Sequence, residues 1–406
     1  MSYPRLKYAN LEELEAHARP LLSQGAYDYY QSGSEREQTR ADNLAAWSRW
    51  KLLPRCLLDV QKVDCSLDLF GTKLGMPVLV APMAAQRLCH EAGERAMAEG
   101  AGLQGSAMIV STMSTCTLPE VAQAGASLWF QLYVFKDRSL TLEMVKKAEN
   151  SGYKALVLTV DAPQLGKRDV NERNAFALPP GLSLAAVEQA IAERAGRKSS
   201  KMARGVKLVV RGAGAETGRD EPADGAPGSL FGAGFNALID PSLTWKDLAW
   251  LCSRTKLPVV LKGVLAPDDA RRAVQSGVAG IIVSNHGGRQ LDGAPAAVDV
   301  LPHVVAAVRE AAPARNVPVL VDGGVRRGSD VVKCLALGAR AVLVGRPMLW
   351  ALAMGGARGV AHALELLRSE IRLDMRLLGA ASLADITSDV VMPASGQGLC
   401  IPTSRL

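Results

Sequence analysis

The segment SNHGGRQLD, residues 284–292, places a histidine and an arginine around two glycines, directly after the apolar run GIIV. Histidine suits proton transfer because its unperturbed pKa lies near neutrality. The arginine guanidinium matches a carboxylate in shape and charge. Glycines allow a loop to fold tightly against a ligand. These residue types in this spacing indicate a reactive loop at the end of a buried strand.

Functional side chains also follow five other apolar runs of the chain. They are Gln131 and Tyr133; Thr159, Asp161, Lys167 and Arg168; Lys262; Asp322, Gly323, Gly324 and Arg326; and Gly345 and Arg346. One polar group at a strand end means little, but polar groups at six strand ends are hard to explain by packing. If the runs are parallel strands, their carboxyl ends meet on one face and form an active site there.

Eight short apolar runs are the elements that must position these side chains. They occupy residues 77–82, 106–112, 127–133, 155–161, 258–263, 280–285, 318–324 and 341–347. Continuous hydrophobicity without alternation is typical of strands buried on both faces, and the segments between the runs have helical spacing. We predict an α/β fold, a (β/α)8 TIM barrel. An open doubly wound sheet is the alternative, because strand order is not visible in the sequence.

The spacing of the runs predicts a single domain over residues 1–406 with one long insertion. About 70 residues precede the barrel and are expected to form helices that cover its base or mouth. Nearly a hundred residues separate the fourth and fifth runs. Within this gap, residues 179–242 are rich in Gly, Ala and charge and show little periodicity, which predicts a mobile lid.

Glycine and arginine recur after the last two runs, in DGGVRRG and VGRP. Barrels often bind phosphate with these two loops, using backbone N–H groups and a helix N-terminus. Arg326 and Arg346 are placed to pair with such an anion. The segment GAGLQG, residues 100–105, also fits the GxGxxG pattern, but it precedes a strand and is therefore not expected to bind a dinucleotide.

Composition limits the class of protein. The chain has 406 residues, 48% of them hydrophobic and 21% charged, which is typical of soluble globular proteins. No apolar run reaches the roughly 18 residues of a membrane helix, and no nucleic-acid motif accompanies the net charge of +7. The positive charge suits an anionic substrate or cofactor. The seven scattered cysteines, without a CxxC, indicate reduced thiols and no metal site.

The chain ends in Ser404-Arg405-Leu406, which is similar to a peroxisomal targeting tripeptide. We therefore expect a peroxisomal or microbody location and an import receptor as a partner. A cytoplasmic location is the alternative.

Taken together, SNHGGRQLD, DGGVRRG, GRP, LTVDAPQLGKRD, FQLYVFKDR and AYDYYQSG resemble the FMN-dependent L-2-hydroxy-acid oxidase family. The resemblance extends from about Tyr8 to Ser388 and weakens only in the long insertion. It implies an (S)-2-hydroxy-acid oxidase that binds FMN and forms a homotetramer or larger assembly.

The resemblance also implies a role for each motif residue. His286 would be the catalytic base and Asp161 the carboxylate that stabilises its protonated form. Arg168 and Arg289 would bind the substrate carboxylate, and Tyr29 and Tyr133 would donate hydrogen bonds to the substrate. The residues expected to bind FMN are Ala84, Ser111, Gln131, Thr159, Lys262, Ser284, Asp322, Gly323, Arg326, Gly345 and Arg346.

Two positions depart from glycolate-preferring relatives, which tend to have threonine and tryptophan where this chain has Met83 and Met113. Both side chains are expected to surround the substrate's side chain. Methionine makes the pocket longer and softer, so we expect L-lactate or a broader range of L-2-hydroxy acids to be favoured over glycolate.

Three functions remain open on the sequence alone. The first is an oxidase that uses oxygen and releases hydrogen peroxide. The second is a dehydrogenase that passes electrons to a quinone or cytochrome, although no stable membrane insertion is expected. The third is a phosphate-binding barrel without redox activity, which would be colourless.

Overall fold

The computed structural model describes residues 8–195 and 230–394. The segment before the barrel contains three helices, as expected, and three short strands. These are α1 (Leu14–Ala18), α2 (Gln24–Gln31), α3 (Gln38–Ala45), β1 (Trp50–Leu52), β2 (Leu67–Leu69) and β3 (Thr72–Leu74). Ser23 caps α2, because its side chain accepts a hydrogen bond from the backbone N–H of Ala26.

The eight predicted strands form one closed parallel barrel, so the TIM-barrel prediction is confirmed and the open sheet is wrong. The strands are β4 (Val78–Val80), β5 (Ala107–Val110), β6 (Ser127–Leu132), β7 (Leu156–Thr159), β8 (Val259–Val264), β9 (Gly280–Val283), β10 (Val319–Asp322) and β11 (Ala341–Val344). Closure pairs β11 with β4, with Leu343 opposite Leu79. Alternate residues of each strand face the barrel interior, where Leu79, Trp129 and Leu320 are fully buried.

Helices cover the outside of the barrel. They are α4 (Gly93–Leu103), α5 (Leu118–Ala122), α6 (Arg138–Asn150), α7 (Asp169–Arg173), α8 (Ala185–Ala195), α9 (Leu230–Leu238), α10 (Trp245–Cys252), α11 (Pro267–Gln275), α12 (Ala297–Ala311), α13 (Gly328–Ala336) and α14 (Arg346–Leu378). Short 3-10 turns occupy Arg19–Leu21, Ala46–Arg49, Gln86–Leu88, Leu383–Asp385 and Ser388–Val390. The strand β12 (Val391–Pro393) pairs antiparallel with β1. None of the helices within the described ranges is both long and apolar enough to cross a membrane.

The first glycine of GAGLQG serves helix packing. Gly100 lies in α4, and a Cβ added there would lie 2.4 Å from the carbonyl oxygen of Ala357 in α14. Only glycine permits this close approach of the two helices. The motif therefore supports the outer layer and not a dinucleotide site.

The two ends of the barrel are covered differently. At the base, Phe70 of the β2–β3 hairpin packs against Trp129, with ring centroids 5.3 Å apart. At the mouth, α2 and α3 lie beside the loops that follow β9 and β11, where Arg289 and Arg346 contact the carbonyl oxygen of Tyr30. The N-terminal segment therefore forms part of the wall around the catalytic end.

The predicted lid, residues 179–242, is described only at its two ends, because residues 196–229 lie outside the described residues. Both ends pack against the barrel. In α8, Val187 and Ala190 are fully buried, and beyond α9 Ile239 forms a bridge with Phe135. The ends of the insertion are thus fixed to the outer helices and to the loop after β6.

Candidate active site

A cavity of about 520 Å³ opens at the carboxyl ends of the barrel strands. Nearly all the residues predicted from the sequence meet there: Tyr29, Met83, Ala84, Ser111, Met113, Gln131, Tyr133, Thr159, Arg168, Lys262, His286, Arg289, Asp322, Gly323, Arg326, Gly345 and Arg346. Asp161 and Ser284 do not line the cavity but contact residues that do. Asp161 contacts His286, and Ser284 contacts Lys262.

His286 and Asp161 form a directly bonded pair across two loops. His286 Nδ1 lies 2.8 Å from Asp161 Oδ1. When Nδ1 carries the proton and donates a hydrogen bond to the carboxylate, Nε2 keeps its lone pair. The His286 side chain lines the cavity and is 21% exposed, so it is accessible to a bound compound. The pair can therefore accept a proton there.

The electrostatics of this pair favour a neutral imidazole and a charged carboxylate. Burial lowers the pKa of His286 below its ordinary value of 6.5, and the Lys262 charge lowers it further, against the opposing effect of Asp161. For Asp161, burial raises the pKa, but the charges of His286 and Lys262 outweigh burial and the net shift is downward. The free site is thus prepared to act as a base near neutral pH.

Two backbone features position the pair. His286 has φ 59°, a left-handed conformation that is uncommon for a residue other than glycine and costs about 1–3 kcal/mol. A β-bulge interrupts the pairing of β8 at Gly263, which has φ 105°. A Cβ at Gly263 would lie 2.6 Å from Asp161 Cγ, so glycine makes room for the carboxylate.

Lys262 supplies a buried positive charge on the wall of the cavity and is only 3% exposed. Its ammonium donates a hydrogen bond to Ser284 Oγ at 2.9 Å and lies 3.4 Å from Asp322 Oδ2. Ser284, which the sequence predicts to contact the cofactor, does not itself line the cavity. Its hydroxyl accepts hydrogen bonds from Lys262 and from the backbone N–H of His286. Ser284 therefore connects the two groups.

Arg168 is a buried cation and Arg289 a partly buried one. No carboxylate within the described part of the chain forms an ion pair with either of them. Burial and the neighbouring Arg289 charge lower the pKa of Arg168 to about 9, and its Nε has no hydrogen-bond partner among the described residues. Uncompensated buried charge is costly. These two arginines thus indicate that an anion binds in the cavity.

Arg289 is held firmly by the N-terminal segment. Its Nη1 donates to the carbonyl oxygens of Tyr29, Tyr30 and Ser32 at 2.6–3.1 Å. The guanidinium also lies over the Tyr29 ring, 5.1 Å from the centroid. Tyr29 in turn stacks on Phe176. The sequence did not show that α2 would hold this arginine.

The other end of the cavity holds a second pair of arginines, Arg326 and Arg346, which are partly buried. Burial lowers the pKa of both, and the charges of neighbouring arginines lower that of Arg346 further. Arg346 donates to the carbonyl oxygens of Tyr30, Ser32 and Gly287. Gly324, with φ 76°, approaches helix α3 so closely that a Cβ would lie 1.9 Å from the Asn43 carbonyl oxygen. Glycines and arginines of the DGGVRRG and VGRP motifs therefore line the same end of the cavity.

The residues of this cavity fit FMN, a flat polar ring with an anionic tail. Three buried polar atoms at strand ends lack any hydrogen-bond partner in the described structure: Gln131 Nε2, Thr159 Oγ1 and Asp322 Oδ1. Such groups are costly unless a ligand bonds to them. They lie on β6, β7 and β10, and the residues that carry them line the cavity. The arginines at the far end suit a phosphate.

Sequence reasoning missed several residues that line the cavity. Leu165 and Phe235 form part of its apolar surface, and the Phe235 ring meets the Tyr133 ring edge-on, with centroids 4.9 Å apart. Asn43 and Trp47 come from the N-terminal segment. Phe235 belongs to the long insertion, whose weak periodicity gave no indication that its return helix reaches the site.

Comparisons with known proteins agree with this site. Residues 18–393 match the family model described as FMN-dependent dehydrogenase. The chain is 46% identical to an L-lactate oxidase from Nostoc sp., over 93% of this chain and 96% of that protein. It is 43% identical to 2-hydroxyacid oxidase 1 from Homo sapiens, over 96% of this chain and 97% of that protein.

A solved structure has the same architecture. A mandelate oxidase with (S)-4-hydroxymandelic acid superposes with a TM-score of 0.82 and 39% sequence identity, covering 93% of this chain and 97% of that one. Together with the barrel, the histidine–aspartate pair and the two arginine pairs, these matches identify the chain. It belongs to the FMN-dependent dehydrogenase family and is an FMN enzyme that oxidises 2-hydroxy acids.

Proposed function

We propose that this enzyme oxidises L-2-hydroxy acids, with L-lactate preferred to glycolate, and uses oxygen as the acceptor. The products are the 2-oxo acid and hydrogen peroxide. The observation that carries the proposal is the His286–Asp161 pair, whose imidazole lines the same cavity as Arg168, a guanidinium that forms no ion pair with a carboxylate of the described residues. This arrangement offers a base and an anion site to one small hydroxy acid.

Binding of the substrate depends on the arginines and tyrosines of the cavity. Arg168 and Arg289 would bind the carboxylate, since guanidinium groups form paired hydrogen bonds with it. Tyr133 and Tyr29 would donate hydrogen bonds to the substrate oxygens. Burial raises the pKa of Tyr133 strongly, so its hydroxyl keeps its proton and remains a donor. The carboxylate would thus fix C2 and its hydroxyl near the base.

Proton transfer then falls to His286. Its Nε2 would take the proton that leaves the hydroxyl or the proton that leaves C2, and Asp161 would stabilise the imidazolium that forms. FMN, when bound, supplies the two-electron acceptor that passes the electrons to oxygen. Ala84, Ser111, Gln131, Thr159, Lys262 and Asp322 would hold the ring and ribityl chain, and Gly323, Arg326, Gly345 and Arg346 would hold the phosphate.

Apolar side chains support the preference for lactate. Met83, Met113, Leu165 and Phe235 line the cavity, and Met113 is only 3% exposed. A flexible apolar wall accommodates the methyl group of lactate, which glycolate lacks. The similarity to an L-lactate oxidase also supports this preference.

Anaerobic addition of L-lactate tests the proposed function. The visible absorption band of the bound flavin is expected to bleach and to return when oxygen is admitted. Oxygen consumption and dye reduction, measured on one preparation, then separate an oxidase from a dehydrogenase that uses a quinone or cytochrome. A preparation that reduces dye rapidly but consumes oxygen only slowly would contradict the oxidase proposal. A flavin that no 2-hydroxy acid bleaches would contradict the whole proposal.

We expect kcat/KM to fall at acidic pH with an apparent pKa below 6.5. The base must be unprotonated, and burial lowers the pKa of His286, so activity is lost as the pH falls through this lowered value. The pH dependence of kcat/KM for L-lactate measures it. The carboxylate of Asp161 raises the pKa of His286 and so opposes the effect of burial. In the Asp161→Asn variant the acidic limb of the kcat/KM profile should therefore move to still lower pH, and kcat should decrease. An acidic limb at or above pH 7 would refute this assignment.

The variant Met113→Trp is expected to shift preference from L-lactate toward glycolate. A bulky indole at this buried position takes up the room of the substrate methyl group, and one methyl group changes discrimination by about 1–3 kcal/mol. The ratio of kcat/KM for the two acids should change by about 10- to 200-fold. Met113→Leu, which conserves volume, is the control and should leave the ratio near the wild-type value. A wild-type enzyme that prefers glycolate would contradict the proposal.

We also propose a homotetramer or larger assembly and location in peroxisomes, as expected from the sequence. Ser404–Leu406 lie outside the described residues, as does the central part of the predicted lid. Sedimentation of the holoenzyme and imaging of the fluorescently tagged chain measure the two properties.

A further inference from the structure

The loop that carries the catalytic histidine has an unusual backbone. His286, Gly287 and Gly288 have φ values of 59°, 66° and 73°, three successive residues in the left-handed region. Such a run belongs to neither a helix nor a strand, and a residue with a side chain persists there only when its surroundings hold it. The contacts that hold this loop therefore determine where the imidazole lies.

A buried pair of asparagines provides these contacts. Asn285 precedes His286, and Asn43 lies on helix α3, outside the barrel. Asn43 Nδ2 donates to Asn285 Oδ1 at 2.9 Å, and Asn285 Nδ2 donates back to Asn43 Oδ1 at 2.8 Å. The two side chains are 3% and 4% exposed. Buried reciprocal hydrogen bonds of this kind fix both partners strongly.

The pair also reaches the far side of the left-handed run. Asn285 Oδ1 accepts a hydrogen bond from the backbone N–H of Gly288 at 3.2 Å, and Asn285 Nδ2 donates to the carbonyl oxygen of Pro295. Asn43 Oδ1 accepts from the backbone N–H of Ala297. The amide of Asn285 thus spans His286 and Gly287, and Asn43 fixes the orientation of that amide.

Asn43 contacts the neighbouring strand end as well. A Cβ on Gly323 would lie 3.0 Å from Asn43 Oδ1, and a Cβ on Gly324 would lie 1.9 Å from the Asn43 carbonyl oxygen. One residue of the N-terminal segment therefore lies between the loop with His286 and the glycine turn after β10. It sets the position of one loop relative to the other.

From these contacts we propose that Asn43 is a positioning residue for the oxidation step. It acts through Asn285, which fixes the backbone at His286 so that the imidazole meets Asp161. The inference rests on the proposed function of His286 as the base. It predicts that a helix outside the barrel controls the rate of C–H cleavage, because misplacing a reacting group by about 1 Å can cost about 100-fold in rate.

Kinetics of Asn43→Ala, Asn285→Ala and the double variant test the proposal on the holoenzyme. Each single variant is expected to lower kcat about 10- to 100-fold while the apoprotein still takes up FMN in a titration. The double variant should be no slower than the slower single variant, because both remove the same interaction. Thr39→Val is the matched control: it lies on the same helix and loses hydrogen bonds to the carbonyl oxygens of Leu291 and Ala294, which both follow the left-handed run 286–288.

Single-turnover reduction of the bound flavin by L-lactate separates positioning from loss of folded protein. Slower C–H cleavage lowers the rate constant of flavin reduction in the asparagine variants, whereas a smaller active fraction lowers only the amplitude. Wild-type kcat in Asn43→Ala, or a lower kcat with an unchanged rate constant of flavin reduction, would overturn the proposal. If Asn43→Ala does not fold, Asn43→Asp replaces it, since it keeps the shape and the acceptor but loses the donor to Asn285.

Crystal structures of the same variants give a readout that does not depend on turnover. The distance from His286 Nδ1 to Asp161 Oδ1, 2.8 Å in the intact protein, should lengthen in Asn43→Ala and remain unchanged in Thr39→Val. An unchanged distance in Asn43→Ala would overturn the proposal. If the wild-type protein oxidises no 2-hydroxy acid, the proposed function itself is refuted.

Discussion

The His286→Asn variant is expected to lose about 10²- to 10⁴-fold in kcat while it retains FMN, the range that a positioned general base contributes. Asparagine suits this position because it tolerates the left-handed backbone, φ 59°, that His286 adopts. The loop should therefore keep its conformation and lose only the base. Single-turnover reduction of the flavin by L-lactate measures the effect directly.

Chemical rescue distinguishes the missing base from a distorted loop. His286→Gly relieves the backbone strain and leaves space beside Asp161, so added imidazole is expected to restore part of the rate. His303→Asn, on the exposed surface of α12, is the control and should keep wild-type kinetics. A kcat for His286→Asn within tenfold of the wild type, at equal flavin content, would show that another group is the base.

The second large effect is expected for Arg168→Met, which removes a buried cation and keeps a flexible apolar stem. Loss of one partner of a buried charge pair costs about 2–5 kcal/mol. Since each 1.36 kcal/mol is tenfold, kcat/KM for L-lactate should fall by roughly 30- to 5,000-fold. L-lactamide has no carboxylate, so its turnover should change far less.

The stability of the Arg168→Met apoprotein should not decrease. In the described structure Arg168 has no acidic partner, and both burial and the Arg289 charge oppose its protonation. Removing this cation should therefore leave the free energy of unfolding unchanged or raise it. Arg271→Met, which breaks exposed ion pairs with Asp268 and Glu310, is the kinetic control. Equal losses with L-lactate and L-lactamide would contradict a role in carboxylate binding.

Much of this fold was predictable because its signals are local. Parallel strands buried on both faces need continuous apolar residues, so all eight strands were visible in the sequence. The residues of the candidate site were predictable because barrel strands end on one face, which brings His286, Arg168 and Lys262 together. The order of the motifs then identified the family.

Other features depended on contacts between residues far apart in the chain. The bonds from Arg289 and Arg346 to α2 and the Asn43–Asn285 pair join residues more than 240 positions apart. Phe235 lies in an insertion without clear periodicity, yet it meets Tyr133 at the cavity. Ser284 follows a strand as a cofactor ligand would, but the sequence does not show that its hydroxyl accepts hydrogen bonds from Lys262 and from the backbone N–H of His286.

The sequence by itself thus determined the barrel, the cofactor and the set of reactive side chains. Strand burial and strand ends depend on residue type and spacing, which a sequence displays directly. The tertiary structure decided which atoms of that set face the cavity, which pair with one another and which part of the chain holds them. Such choices depend on hydrogen bonds across the closed barrel, and neither periodicity nor spacing encodes the partner of a polar group.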